Sequence, residues 1–264
     1  MAKQSSLEQR LNQISQNGKS LFLAYDHGIE HGPSDFNGKS VDPNYVMQIA
    51  VNAGFSGIVL QKGVAERYYN GGVPLILKLN GKTNLVKGDP ISRQVCSVDY
   101  AYKLGAKAVG YTIYLGSSHE SQMLAEFGRI VEEAHNLGLP AIAWIYPRGK
   151  AIKVDTAPDV VAYGARVGLE LGADIVKVKY TGDVESFKWV VKSAGKTRVV
   201  AAGGSKAPTD EIFLRQVQEI TEAGAAGLAV GRNVWQHRDP LAICRAISEI
   251  VFGYKVEIKK IKSA

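Results

Sequence analysis

The chain has few cysteines and lacks the long apolar runs that a membrane protein requires. Its 264 residues include two cysteines, Cys96 and Cys244, which lie far apart and without the spacing of a metal site. We interpret both as buried small residues. No apolar run reaches the roughly 18 residues that a membrane span needs, and residues 1–20 lack the apolar segment of a secretory signal. The sequence therefore predicts a cytoplasmic protein that has no membrane partner.

Patterns typical of metal and nucleic-acid sites are also missing. His27 and His31 are four residues apart with Glu30 nearby, but no HExxH pattern or matching third ligand accompanies them. We expect no metal and no other cofactor, and helix capping or phosphate contact suits the two histidines better. The net charge of +7 is dispersed, and only the tail at about 255–264 is dense in lysine. This favours an anionic small molecule or a solvated surface over a nucleic acid.

Short apolar segments recur along the chain and predict eight strands. They lie at 21–25, 57–61, 74–79, 108–113, 140–146, 173–179, 198–203 and 227–231. Most are followed by a helix-like stretch. One such stretch is 117–138, with Ser118 as its predicted N-cap and Gly138 at its C-terminal end; another, 209–224, opens on Thr209.

Alternating strands and helices imply a parallel sheet, and eight such units in about 250 residues suit a TIM (β/α)8 barrel in a single α/β domain. A doubly wound sheet is the alternative. Two further elements flank the predicted barrel. They are a short amphipathic helix at about 5–16, with Leu7, Leu11 and Ile14 at helical spacing, and the basic tail at about 255–264.

The C-terminal ends of barrel strands are where chemistry is expected. GGSK (203–206) and GRN (231–233) end strands seven and eight, where barrels often bind phosphate through backbone amides and added cations. The alternative is that these glycines only form turns. The predicted phosphate-binding residues are Gly203, Gly204, Ser205, Lys206, Gly231 and Arg232.

Other strand ends carry groups suited to acid–base chemistry. In the segment AWIYPRG, strand alternation places Trp144 and Tyr146 on one face, with Tyr146 at the mouth as a candidate general acid/base. Aromatic core filling is the alternative for both. Asp26 ends strand one, where it can pair with a lysine or move protons. Lys62 and Lys78 also end strands.

Two lysines interrupt the apolar strand in GADIVKVKYTGD. Alternation puts Lys177 and Lys179 on the same face as Ile175, so parity cannot choose between them. Lys179 is nearer the mouth, whereas Lys177 lies deeper in the apolar run. Burial and a neighbouring cation both lower the pKa of an ammonium, and a lysine must be neutral to attack a carbonyl. We predict that Lys177 is the nucleophile and that Lys179 helps to lower its pKa. A buried Lys–Asp pair is the alternative.

Six motifs, taken together, resemble the archaeal-type class I fructose-1,6-bisphosphate aldolases. They are DHGIEHGP, LKLNGKT, WIYPRG, VKYTGD, AGGSK and AVGRNVWQ, and the likeness runs from about residue 18 to 252. The resemblance implies a TIM barrel that forms a Schiff base through the first lysine of K-x-K-Y-T-G, which is Lys177. It also implies that Tyr146 is the general acid/base and that Asp26 and Trp144 belong to the active site. Ser205 stands where relatives often carry Pro, which affects a turn only.

Related Schiff-base enzymes make 2-amino-3,7-dideoxy-heptulosonate for aromatic amino-acid biosynthesis. Those enzymes tend to lack the Trp before YPRG and the EHGP continuation, and this chain has both. The chain therefore looks more like the aldolase of glycolysis and gluconeogenesis, which cleaves fructose 1,6-bisphosphate to dihydroxyacetone phosphate and glyceraldehyde 3-phosphate. A non-catalytic sugar-phosphate-binding barrel is a further alternative.

The resemblance also suggests how the substrate and the subunits are arranged. One phosphate is expected on the backbone at 203–206 and 231–232. Arg148, His27 and His31 are the candidates for the second phosphate, and Lys179 is a candidate rim contact. Members of the family form large homo-oligomers, so the same is expected here.

Overall fold

Eight parallel strands close into a barrel in the computed structural model, which describes residues 6–253. Around the barrel the order is β1, β2, β3, β6, β7, β8, β9 and β10, and β10 pairs with β1. The two remaining strands form a separate antiparallel pair. In chain order the strands are β1 (Ser20–Ala24), β2 (Gly57–Gln61), β3 (Leu75–Lys78), β4 (Asn80–Gly81), β5 (Arg93–Gln94), β6 (Ala108–Leu115), β7 (Ala141–Pro147), β8 (Ile175–Val178), β9 (Arg198–Ala202) and β10 (Gly227–Val230). The predicted TIM (β/α)8 barrel is confirmed, and the doubly wound alternative is wrong.

Helices surround the barrel and connect its strands. They are α1 (Leu7–Asn12), α2 (Gly28–His31), α3 (Pro43–Asn52), α4 (Lys62–Tyr68), α5 (Val98–Lys103), α6 (Glu120–Asn136), α7 (Pro158–Glu170), α8 (Val184–Ser193), α9 (Asp210–Glu222), α10 (Arg232–Trp235) and α11 (Pro240–Phe252). Within residues 6–253, each helix is too short or too polar to cross a membrane. The basic tail predicted at about 255–264 lies outside the described residues.

The predicted helix ends are partly correct. Thr209 caps α9 by accepting the amide of Ile212, and Gly138 follows α6 with a φ of +73°. Ser118, however, is not the N-cap of α6, which begins at Glu120 after His119. The hydroxyl of Ser117 accepts the amide of His119, so the chain makes a local turn before the helix starts.

The segment before β1 closes the N-terminal end of the barrel. Leu11 and Ile14 are 2% and 0% exposed and pack with the apolar side chains inside the barrel. α1 ends at Asn12 instead of reaching residue 16, because the chain reverses at 16–19 before entering β1. Leu7 is 40% exposed, so the predicted apolar stripe is shorter than expected.

A buried ion pair fixes this segment to the barrel. Nη2 of Arg10 lies 3.1 Å from Oδ1 of Asp174, which precedes β8. The other oxygen of Asp174 accepts the amide of Ala141 and lies 2.8 Å from Nε2 of His135. Since each carboxylate oxygen has partners, the buried charge is compensated.

Strand alternation directs side chains as predicted. Ile142 and Trp144 of β7 point into the barrel, whereas Ala143 and Ile145 pack in the layer beneath the helices. The same alternation on β8 places Ile175 and Lys177 inside, so the mouth of the barrel is where polar side chains accumulate.

Candidate active site

A cavity of about 340 Å³ opens at the C-terminal ends of the barrel strands. Lys62 and Lys206 lie outside its lining: Lys62 is exposed on α4, and Nζ of Lys206 donates to the carbonyl of Gln236. All the other predicted site residues line the cavity, namely Asp26, His27, His31, Trp144, Tyr146, Arg148, Lys177, Lys179, Gly203, Gly204, Ser205, Gly231 and Arg232.

Lys177 lies at the centre of the cavity floor. In the sheet it is paired with Trp144 on one side and Val200 on the other, and it is 6% exposed. Burial, helped by Arg148, lowers the pKa of Lys177 to about 8, although Asp26 and Glu30 oppose the shift. A substantial fraction of this amine is therefore neutral near pH 8, as nucleophilic attack on a carbonyl requires.

Trp144 forms the wall beside the amine. Its ring centroid is 5.3 Å from Nζ of Lys177 and 5.7 Å from Nζ of Lys78. The indole lies directly against Gly110 of β6, where an added Cβ would be 1.9 Å from the ring. Glycine at 110 thus provides the space in which the Trp144 ring lies.

Lys179 has a different environment from the one predicted. It forms an ion pair with Asp155 at the rim of the cavity. The cation that lowers the pKa of Lys177 is Arg148, so the predicted effect of Lys179 is not seen. The reason is that Asp155, from the connection between β7 and α7, faces Lys179 only in the folded chain.

A second buried lysine, Lys78, stands next to Asp26. It is 5% exposed, and its Nζ is 4.0 Å from Oδ2 of Asp26 and 3.3 Å from the carbonyl of Asn80. Burial lowers the pKa of Lys78 to about 8, although Asp26 opposes this. For Asp26, burial opposes ionisation, but Lys78, His27 and Lys177 outweigh it and lower the pKa. Asp26 is therefore a carboxylate held in a cationic environment.

Tyr146 supplies a protonated phenol. Burial raises its pKa above the ordinary value, and Asp26 adds to the shift, while Arg148 opposes it. The guanidinium carbon of Arg148 lies 5.0 Å from the Tyr146 ring centroid, and Nη1 of Arg148 is 2.9 Å from Glu30. At neutral pH the phenol can thus donate a proton.

The glycine-rich turns after β9 and β10 are locked together by Asn233. Its Nδ2 donates to the carbonyls of Gly203 and Ser205, and its Oδ1 accepts the amide of Ala207. Sequence reasoning missed this residue, whose only signal was its place in the GRN motif. The amide of Gly203 donates to the carbonyl of Ala229, and its hydrogen bond therefore belongs to the barrel sheet.

Gly231 permits a close approach to His27. A Cβ at position 231 would lie 2.8 Å from Cε1 of His27 and 2.9 Å from the carbonyl oxygen of Ala24. The next residue, Arg232, has Nη1 3.5 Å from Asp35 and Nη2 near the hydroxyl of Ser205. The turn therefore brings a cation and an imidazole to one side of the cavity.

The two histidines remain apart from any metal arrangement. Burial lowers the pKa of His27 to about 4, so its imidazole is neutral at physiological pH. His31 lies with Nδ1 2.5 Å from Oδ2 of Asp35. Within residues 6–253, no group of three or more His, Cys, Asp or Glu side chains is arranged to hold a metal ion.

Three buried polar atoms of the lining lack a hydrogen-bond partner among the described residues. They are Nδ1 of His27, Nε1 of Trp144 and Nε of Arg232. Buried polar groups normally have partners. These atoms, which belong to residues that line the cavity, are therefore suited to contact a polar ligand.

The fold agrees with comparisons to known proteins. Residues 20–237 match a family model described as DeoC/LacD family aldolase. A protein from Thermoproteus tenax, named fructose-bisphosphate aldolase class 1, is 56% identical over 250 residues, which cover 94% of this chain and 95% of that protein. A Halobacterium salinarum protein of the same name is 48% identical over 244 residues, covering 90% and 92%.

A solved structure gives the same relationship. It is described as an archaeal fructose-1,6-bisphosphate aldolase with the catalytic Lys covalently bound to the carbinolamine intermediate of the substrate. Its sequence is 54% identical, and its TM-score is 0.92 over 94% of this chain and 100% of that chain. The chain therefore belongs to the DeoC/LacD family of aldolases, and within it to the archaeal-type class 1 fructose-bisphosphate aldolases.

Proposed function

We propose that this protein is a Schiff-base aldolase that reversibly cleaves fructose 1,6-bisphosphate to dihydroxyacetone phosphate and glyceraldehyde 3-phosphate. The observation that carries this proposal is Lys177, a buried lysine with its pKa lowered to about 8 at the floor of a cationic cavity. The lysine-bound intermediate described for the archaeal relative supports the same chemistry.

Imine formation begins with the neutral amine. Lys177 attacks the C2 ketone of the open-chain sugar and forms a carbinolamine. The phenol of Tyr146, which burial keeps protonated well above neutral pH by raising its pKa, gives its proton to the departing hydroxyl. Water leaves, and a protonated imine remains on Lys177. Trp144, beside the amine, walls this reaction centre.

Bond cleavage follows from the positive charge on the imine. A base removes the C4 hydroxyl proton, the C3–C4 bond breaks, and its electron pair moves into the imine to give an enamine. Asp26 is suited to this step because Lys78 and the other nearby cations keep it ionised. Tyr146, once it has given up its proton, is the second candidate base. Glyceraldehyde 3-phosphate leaves, C3 is protonated, and hydrolysis releases dihydroxyacetone phosphate.

The charge of the cavity suits a bisphosphate. Six cationic side chains line it, against the two carboxylates of Asp26 and Glu30. We assign the C1 phosphate to the turns at 203–206 and 231–232, where Arg232 adds charge. The second phosphate is assigned to Arg148, with His27 and His31 as further candidates. The cationic residues are Lys78, Lys82, Arg148, Lys177, Lys179 and Arg232.

We further propose that the enzyme acts in glycolysis and gluconeogenesis, in the cytoplasm, and as a large homo-oligomer. The resemblance to the class I family supports the pathway and the assembly. Tyr163 on α7 and Trp189 on α8 are 71% and 56% exposed, and large aromatic side chains of this kind are typical of subunit contacts.

Borohydride trapping tests the reaction directly. We expect sodium borohydride with fructose 1,6-bisphosphate to leave a reduced adduct, which peptide mapping places on Lys177. The Lys78→Met variant should still form it, whereas Lys177→Met should not. An adduct on Lys78 or Lys179, or no adduct at all, would contradict the assignment.

A further inference from the structure

Glu30 connects three groups that come from separate parts of the cavity wall. Its Oε1 is 2.9 Å from Nη1 of Arg148, 3.6 Å from Nζ of Lys82 and 3.4 Å from the hydroxyl of Tyr114. Glu30 lies in α2, Arg148 follows β7, Lys82 follows β4, and Tyr114 is near the end of β6. These four residues are named the Glu30 cluster.

The donors of the Glu30 cluster are those that a phosphate requires. Guanidinium, ammonium and hydroxyl groups bind carboxylate and phosphate oxygens through the same charge-assisted hydrogen bonds. A phosphate ester carries about twice the charge of a carboxylate near neutral pH, so it is the stronger ligand for such a set. A carboxylate from the chain thus lies among donors that suit the substrate.

The cations of the cluster are also held by groups other than Glu30. The guanidinium carbon of Arg148 is 5.0 Å from the Tyr146 ring centroid and 5.9 Å from that of Tyr114. Nζ of Lys82 is 5.7 Å from the same Tyr114 ring and 2.7 Å from Oδ1 of Asn84. These contacts keep both cations near their positions when Glu30 is replaced by another anion.

Glu30 itself is in a position from which it can move. Its side chain is 23% exposed, compared with 12% for Asp26, which lies deeper in the cavity. A partly exposed carboxylate that turns towards water recovers its hydration, so giving up its partners costs little. Asp26 is enclosed between cations, so it cannot exchange its partners for water in this way.

Building on the proposed function, we propose that Glu30 is a specificity-determining residue. In the free enzyme the Glu30 carboxylate occupies the position of the substrate's second phosphate. Only a dianionic group displaces it from Arg148 and Lys82. A sugar with a hydroxyl at that end, such as fructose 1-phosphate, cannot displace a carboxylate from an arginine. Fructose 1-phosphate therefore binds with the Glu30–Arg148 pair intact. Glu30 weakens the binding of the bisphosphate but not that of the monophosphate.

The test compares two substrates. We expect Glu30→Gln, which keeps the shape of the side chain and removes its charge, to raise the ratio of kcat/KM for fructose 1,6-bisphosphate to that for fructose 1-phosphate. The expected rise is on the order of fivefold, the effect of removing one partly exposed competing ion pair. Effects on Lys177 that are common to both substrates cancel in the ratio. Glu30→Ala should change the ratio in the same direction.

A matched control uses the other phosphate side. Asp35 pairs with Arg232, which we assign to the C1 phosphate that both sugars carry. Asp35 also contacts His31, a candidate for the second phosphate, so the comparison is made in a His31→Ala background. There Asp35→Asn removes a carboxylate of the same charge from Arg232, both substrates should respond alike, and the ratio should stay within about twofold.

A purely structural role for Glu30 predicts the opposite change in the ratio of the two kcat/KM values. If Glu30 served only to order Arg148, Glu30→Gln and Glu30→Ala would lower the ratio. A lowered or unchanged ratio overturns the assignment of Glu30 alone. A wild-type enzyme that cleaves neither sugar phosphate would instead overturn the proposed function, and this inference with it.

Discussion

The rate of Schiff-base formation should follow the fraction of Lys177 that is neutral. With its pKa lowered from 10.5 to about 8, about one tenth of Lys177 is neutral at pH 7, against about one part in three thousand for an unperturbed lysine. The shift thus raises the reactive form roughly 300-fold, which corresponds to about 3 kcal/mol. We expect kcat/KM to rise about tenfold between pH 7 and pH 9 and then to level off.

The assay is kcat/KM for fructose 1,6-bisphosphate measured between about pH 6.5 and 9.5, above the second ionisation of a phosphate ester near pH 6. Because Lys78 also has a pKa of about 8, the profile is repeated with Lys78→Met, in which the rise should persist. Arg148→Gln should move the rise to higher pH, since Arg148 lowers the pKa of Lys177. A flat profile, or a rise that disappears in Lys78→Met, would refute the reasoning.

Two further changes test the residues around the amine. Tyr146→Phe should lower kcat by about a hundredfold or more while KM changes little, because the phosphates are bound elsewhere; an unchanged kcat in steady-state assays would remove its acid/base role. Gly110→Ala should lower the free energy of unfolding by about 1–3 kcal/mol and reduce kcat/KM, since its Cβ would overlap the Trp144 ring. Gly128→Ala, where a Cβ meets no atom within 4 Å, is the matched control in denaturant titrations.

The barrel could be predicted because each strand is marked locally. A buried parallel strand is a short apolar run, and the glycine that ends the preceding helix fixes where it begins. Alternation then determines which residues face inward, and it correctly predicts that Trp144 and Lys177 point into the barrel. The strand ends, by the general rule for barrels, indicated where the cavity would be.

Partners that meet only in three dimensions could not be predicted. Asp155 and Lys179 are 24 residues apart, and Glu30 and Arg148 are 118 apart, so no local pattern indicates either pair. Ser118 is likewise positioned by a distant residue, since its amide donates to Asp89, 29 residues away, and α6 begins only at Glu120. The sequence predicts that Asp26 can pair with a lysine, but that this lysine is Lys78 depends on β1 and β3 reaching the same depth.

The closed N-terminal end of the barrel determines the route of the products. Leu11 and Ile14 fill that end among the described residues, so the mouth is the exit for both trioses. Dihydroxyacetone phosphate is still joined to Lys177 on the cavity floor when the C3–C4 bond breaks. The aldehyde half must therefore leave first, and in the reverse reaction it must enter last. The covalent bond to Lys177 thus sets the order of release, and the closed N-terminal end makes both products leave through the mouth of the barrel.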